Sequence, residues 1–162
     1  MGQMVFVPMS RKRARALCDA GSVVGPFDGH AATPSLMAGH EYDESLLEDA
    51  EYTALAFAGV AALTGADDVD PLRLVLAAEL PPTLLEVTDG SVLGAVQVHD
   101  LPWNAVRALF SDEPGAASAV ATARTAAAGR SVDEALTMSV VVDVFENHDL
   151  LWFAPEELDQ LP

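Results

Sequence analysis

Three apolar runs of strand length between Leu72 and Phe110 constrain this chain more than any other feature. They are Leu72-Arg73-Leu74-Val75-Leu76-Ala77-Ala78-Glu79, Val92-Leu93-Gly94-Ala95-Val96-Gln97-Val98 and Val106-Arg107-Ala108-Leu109-Phe110. Short continuous apolar runs bounded by Pro, Gly and Asp are the mark of largely buried strands, a pattern that a short buried helix can mimic. They predict the middle of a sheet.

The rest of the chain supplies what covers it. Met4-Val5-Phe6-Val7-Pro8 reads as a first strand stopped by proline. Ser10 caps a helix from Arg11 to Ala20 that Gly21 closes, with Ala14, Leu17 and Cys18 facing inward. Gly21 to Gly29 reads as a loop. Thr33-Pro34 starts a short helix, and Asp43 starts another with Glu44, Glu48 and Glu51 near its positive end. From Ala54 to Leu63 that second helix is apolar all round, which places it across the sheet inside the core.

Asp67-Asp68-Val69-Asp70 reads as a turn, because it lacks the ligand order and glycine of a calcium loop. Pro81-Pro82 and Asp89-Gly90 frame a short connection between the first two runs. A helix is expected from Ser111-Asp112-Glu113-Pro114 to Ala128. Another runs from the capping box Ser131/Glu134 to Phe145, where Val140-Val141-Val142 also leaves a strand open. Leu150 to Phe153 reads as a last strand with Trp152 in the core, and Pro155 to Leu161 as a closing helix.

Several of these segments, in this order, resemble a family of small actinobacterial proteins known only as a domain of unknown function. They are Val5-Phe6-Val7-Pro8, Ala32-Thr33-Pro34, Glu48-Asp49-Ala50-Glu51-Tyr52, Val75 through Pro81, and His148 through Phe153. The resemblance covers most of the chain and implies that Met4 is the true start. It brings no activity, cofactor or catalytic residue with it.

Charge narrows the function. A net charge of −17 repels phosphate backbones, so general nucleic-acid binding is not expected, while a basic protein partner is compatible. The single cysteine allows no intrachain disulfide, and the longest charge-free stretch, Tyr52 to Ala66, is too short to span a bilayer. A soluble cytoplasmic protein is the expectation.

The residues with chemistry to offer are few. His99-Asp100 and His148-Asp149 stand at predicted strand ends. If the last strand runs antiparallel to the Val92 to Val98 strand they meet, giving two imidazoles and two carboxylates for a metal or an acid-base pair. No metal or cofactor motif accompanies them. Arg11, Lys12, Arg13 and Arg15 form a basic helix start suited to an anion or partner, or to pairing with the protein's own acids. Cys18 reads as a small core hydrophobe, Glu79 as a strand end, and Trp103 and Trp152 as aromatic anchors if exposed.

Together these features predict one α+β domain over residues 1–162, with a mixed or mainly antiparallel sheet of about four to five strands packed mainly on one face, as a ferredoxin-like variant. The expected function is non-catalytic, through macromolecular interaction. The alternative is a small hydrolase using His99, His148 and their neighbouring carboxylates.

Overall fold

The computed structural model describes residues 2–65, 70–88 and 90–162. Asp67, Asp68 and Val69 of the expected turn, and Asp89 of the connection that follows Pro81-Pro82, lie outside them. The described residues form an α+β fold around a seven-stranded sheet of order β4-β5-β2-β1-β3-β6-β7. The strands are β1 (Gln3–Pro8), β2 (Ser22–Ala31), β3 (Leu74–Leu80), β4 (Leu85–Val87), β5 (Ala95–Pro102), β6 (Val106–Ser111) and β7 (Leu151–Phe153). Every neighbouring pair is antiparallel. This lies within the expected mixed or mainly antiparallel arrangement, while the expected four to five strands are corrected to seven among the described residues.

Two strands account for the difference in number. β2 occupies the segment expected as a loop. Ser22–Val24 and Phe27–His30 both pair with β5, and the register shifts between them at Gly25-Pro26. Proline has no amide to give a ladder, and a bulge is where a sheet tolerates it. β4 is the short strand within the connection after Pro81-Pro82. β5 begins three residues later than expected because Gly94 adopts φ +71, and a side chain there would strike the Ala31 carbonyl.

The three defining runs are strands, but they do not sit side by side. β1 lies at the centre, with β3 and β6 to one side of it and β5 beyond β2 on the other. Alternation along β3 shows why the runs are continuously apolar. Leu74, Leu76, Ala78 and Leu80 join one core with Val5, Val7, Leu17, Leu158 and Leu161. Val75 and Ala77 join a second core with Phe6, Leu36, Ala54 and Phe57. Both faces of the sheet are therefore covered, not mainly one.

The first face carries helix α1 (Arg11–Ala20) and the 3-10 segment Pro155–Gln160. The second carries α2 (Pro34–Gly39) and α3 (Leu47–Thr64), and behind α3 stand α4 (Ala117–Ala127), α5 (Val132–Ala135) and α6 (Ser139–Asn147). The second half of α3 is apolar on all sides because it is enclosed between sheet and helices, with Val60 and Leu63 packing on Val120, Ala123, Val141 and Val144.

Local signals hold at the helix ends. The side chains of Ser10, Thr33 and Ser131 accept backbone N–H groups at the starts of α1, α2 and α5, and Ser131 forms its capping box with Glu134. The helix expected through Phe145 is two helices, and Val140 to Phe145 lies in the second. The basic start of α1 is offset from elsewhere in the chain, since the Asp70 carboxylate accepts the Arg11 N–H at 2.7 Å and places negative charge at that end.

Candidate functional site

The site grows from a pair that antiparallel register brings together. Leu74 pairs with Ser111, so the residues just outside them, Arg73 and Asp112, meet across β3 and β6. Arg73 Nη2 donates to Asp112 Oδ1 at 2.7 Å, and Nε donates to Oδ2 at 3.0 Å. The Arg73 backbone N–H reaches Oδ2 at 2.9 Å. Both residues are buried, at 2% and 0% exposure. A forked pair of this kind satisfies charge and hydrogen bonds together. Asp112, expected in the first turn of a helix, turns inward instead.

Arg73 Nη2 also donates to the His148 carbonyl at 2.9 Å, which ties the end of α6 to the sheet. Above the guanidinium is a pocket of about 100 Å³ lined by Tyr52, Leu55 and Ala56 of α3, Phe145 of α6, and His148, Asp149 and Leu150. Leu55 and Ala56 follow Tyr52 at helical spacing, so one face of α3 forms a wall. Phe145 stacks on Phe57 with ring centroids 6.2 Å apart. The Tyr52 hydroxyl donates to Asp149 Oδ1 at 3.2 Å. Its pKa is pushed up by burial and then by the Asp149 charge. His148 Nδ1 is buried without a hydrogen-bond partner.

The predicted meeting of His99 with His148 does not occur. The last strand pairs with β6, not β5. Five strand spacings therefore separate β5 from β7, roughly 24 Å. His99 is exposed on β5 with its Nε2 3.7 Å from Glu86 on β4, and Asp100 is half-buried beside it. His148 and Asp149 belong to the pocket. Among the described residues no group of three or more His, Cys, Asp or Glu side chains is placed to hold a metal ion.

The basic cluster is turned toward the protein itself. Arg15 pairs with Asp159 at 2.6 Å and Asp19 at 2.8 Å. Arg11 Nη1 donates to the Leu161 carbonyl at 3.3 Å, and its Nη2 donates to the Pro162 carbonyl. Arg13 lies over the Phe27 ring, 5.2 Å from its centroid, and Lys12 is exposed. Cys18 is half-buried against the core and accepts from Arg15 Nη2 at 3.3 Å. Glu79 is exposed near the end of β3, 4.0 Å from Arg107.

Trp103 packs partly against the first core. Trp152 departs from its expected core position and is 61% exposed. It stands on an edge strand opposite Phe110, beyond the part of the sheet that α3 covers.

Sequence reasoning missed Arg73 and His30. Arg73 looked like one polar residue in an apolar run, and only the Asp112 pairing gives it meaning. His30 is buried on β2, where its Nδ1 lies 2.8 Å from the Leu93 carbonyl, directly after the segment that read as loop.

The chain belongs to the family of unknown function DUF6912, whose model matches residues 4–161. No curated protein and no solved structure matches it.

Proposed function

We propose that this member of the family works without catalysis, as an interaction domain that holds a protein partner against the face formed by α3, the end of α6 and edge strand β7. The observation that carries this reading is the exposure of two large aromatics on that face, Tyr52 at 60% and Trp152 at 61%. Tyr and Trp supply much of the energy of protein interfaces, and an edge strand is open to pairing with another chain. Phe145 adds exposed apolar surface beside Tyr52. No helix among the described residues is long and apolar enough to cross a membrane. The net charge of −17 favours a basic protein over a nucleic acid, and a free cysteine suits a reducing cytoplasm as the setting.

The test is photo-crosslinking in the host from a benzophenone side chain placed at position 152, with position 12 on the opposite face as control. The expected result is a discrete adduct with one partner from position 152, absent from position 12 and diminished by Tyr52→Ala. Equal adducts from both positions, or none, would overturn the reading.

A further inference from the structure

We infer that the cavity between strands β2 and β5 and the ends of α3 and α5 binds an organic ammonium ligand, a primary amine whose N–H groups are received by His30 and Asp28. This cavity lies toward the other end of the sheet from β7, so the inference stands apart from the interaction reading above. Three observations carry it.

The first is an unused lone pair. His30 is only 5% exposed on β2. The Leu93 carbonyl can only accept, so the ring nitrogen 2.8 Å from it, Nδ1, carries the proton. In the neutral ring Nε2 is then an acceptor. It has no hydrogen-bond partner among the described residues, and unlike His148 Nδ1 it is not sealed from solvent. Burial holds the pKa of the ring below its ordinary value, so the ring is mostly neutral at pH 7. The donor that completes Nε2 comes from outside the chain.

The second is the company this acceptor keeps. β2 and β5 pair Asp28 with Gln97 and His30 with Ala95, so Asp28 and His30 stand two residues apart on one face of the sheet. The Gln97 side-chain amide donates to Asp28 Oδ1, which leaves Asp28 Oδ2 and Gln97 Oε1 as further acceptors. The Asp28 charge is felt at the His30 ring. A hydroxyl has one proton to give such a set. An ammonium has three, and a charge that the carboxylate favours. One imidazole and one carboxylate fall short of the ligand set of a metal ion.

The third is room of the right sign. The cavity measures about 590 Å³, within the range of small-molecule sites. Asp28 and Asp133 are its lining carboxylates, and its one lining cation, Arg130, is ion-paired with Glu134 at 3.5 Å. The lining is therefore negative, in a chain whose net charge of −17 already draws cations. Leu93 and Val132 give apolar surface to the carbon part of the ligand.

The experiment is an NMR titration at pH 7 of the full chain, labelled with nitrogen-15 at histidine, against butylamine, which is protonated there. Butyltrimethylammonium, which has the charge without an N–H, and 1-butanol, which has a donor without the charge, are the comparison probes. Butylamine is expected to move the His30 Nε2 resonance while that of His99 stays in place, and to bind about tenfold more tightly than either comparison. Asp28→Asn, at an exposed position, should keep the fold and weaken butylamine about tenfold. Equal binding of butylamine and butyltrimethylammonium would show only general attraction to an acidic surface and would overturn the inference. So would equal binding of 1-butanol, an unmoved His30 resonance, or indifference to Asp28→Asn.

Discussion

Arg73 and Asp112, 39 residues apart in sequence, face each other as a buried ion pair with Nη2 and Oδ1 2.7 Å apart. The pair fixes the outer end of the β3–β6 ladder, and through the His148 carbonyl it also fixes the floor of the pocket.

Asp112→Ala leaves the guanidinium buried and unpaired, and should cost about 3–5 kcal/mol of stability. The double variant Arg73→Met with Asp112→Leu should lie closer to the parent, since no charge is then stranded. Urea denaturation of the three proteins checks both statements. A single variant no less stable than the parent would show that the pair contributes nothing.

Gly59 of α3 leaves the space that Arg73 occupies. A Cβ there would stand 2.9 Å from Arg73 Nη1 and 3.2 Å from Leu150 Cδ1. In an open helix Gly→Ala gains about 1 kcal/mol, yet here the nearest atom belongs to a side chain pinned by Asp112. Gly59→Ala is therefore expected to destabilise by about 1–3 kcal/mol, and the cost should shrink in the Arg73→Met/Asp112→Leu background. Thermal unfolding of the two single-site comparisons measures it.

His30 predicts a pH dependence. Burial holds its pKa below the ordinary 6.5, against smaller opposing effects of the Leu93 carbonyl and Asp28. Below pH 6.5 the unfolded chain takes up the proton first, so stability should fall as pH drops from there toward the folded value. Above 6.5 this contribution is fully present. His30→Asn, which keeps a donor for the Leu93 carbonyl, should flatten that part of the profile. An unchanged slope in urea midpoints between pH 7 and 5, relative to the parent, would refute it.

His99 and His148 should behave as strangers. With β5 and β7 roughly 24 Å apart, the stability effects of His99→Ala and His148→Ala should sum in the double variant to within about 0.5 kcal/mol. A larger coupling would mean that the two ends of the sheet communicate.

The residues that were legible in sequence are those whose partners are near neighbours. Ser10, Thr33 and Ser131 cap helices because the N–H groups they accept lie three positions on, and the all-apolar half of α3 announces enclosure by itself. β2 was illegible because Gly25 and Pro26 disguise a strand whose ladder comes from β5, some seventy residues away. Of the pocket, His148 and Asp149 were singled out, but for a union with β5 that register does not make.

By itself, then, the sequence determined the capped starts of α1, α2 and α5, the enclosed half of α3, the buried character of β3 and the repulsive field of −17, all properties of spacing and composition. Strand order was decided only in three dimensions. An antiparallel ladder forms between segments of compatible pattern at any separation, so pairing β7 with β6 placed Trp152 at an open edge, and pairing Leu74 with Ser111 set Arg73 against Asp112. No local pattern near any one of those residues carries that information.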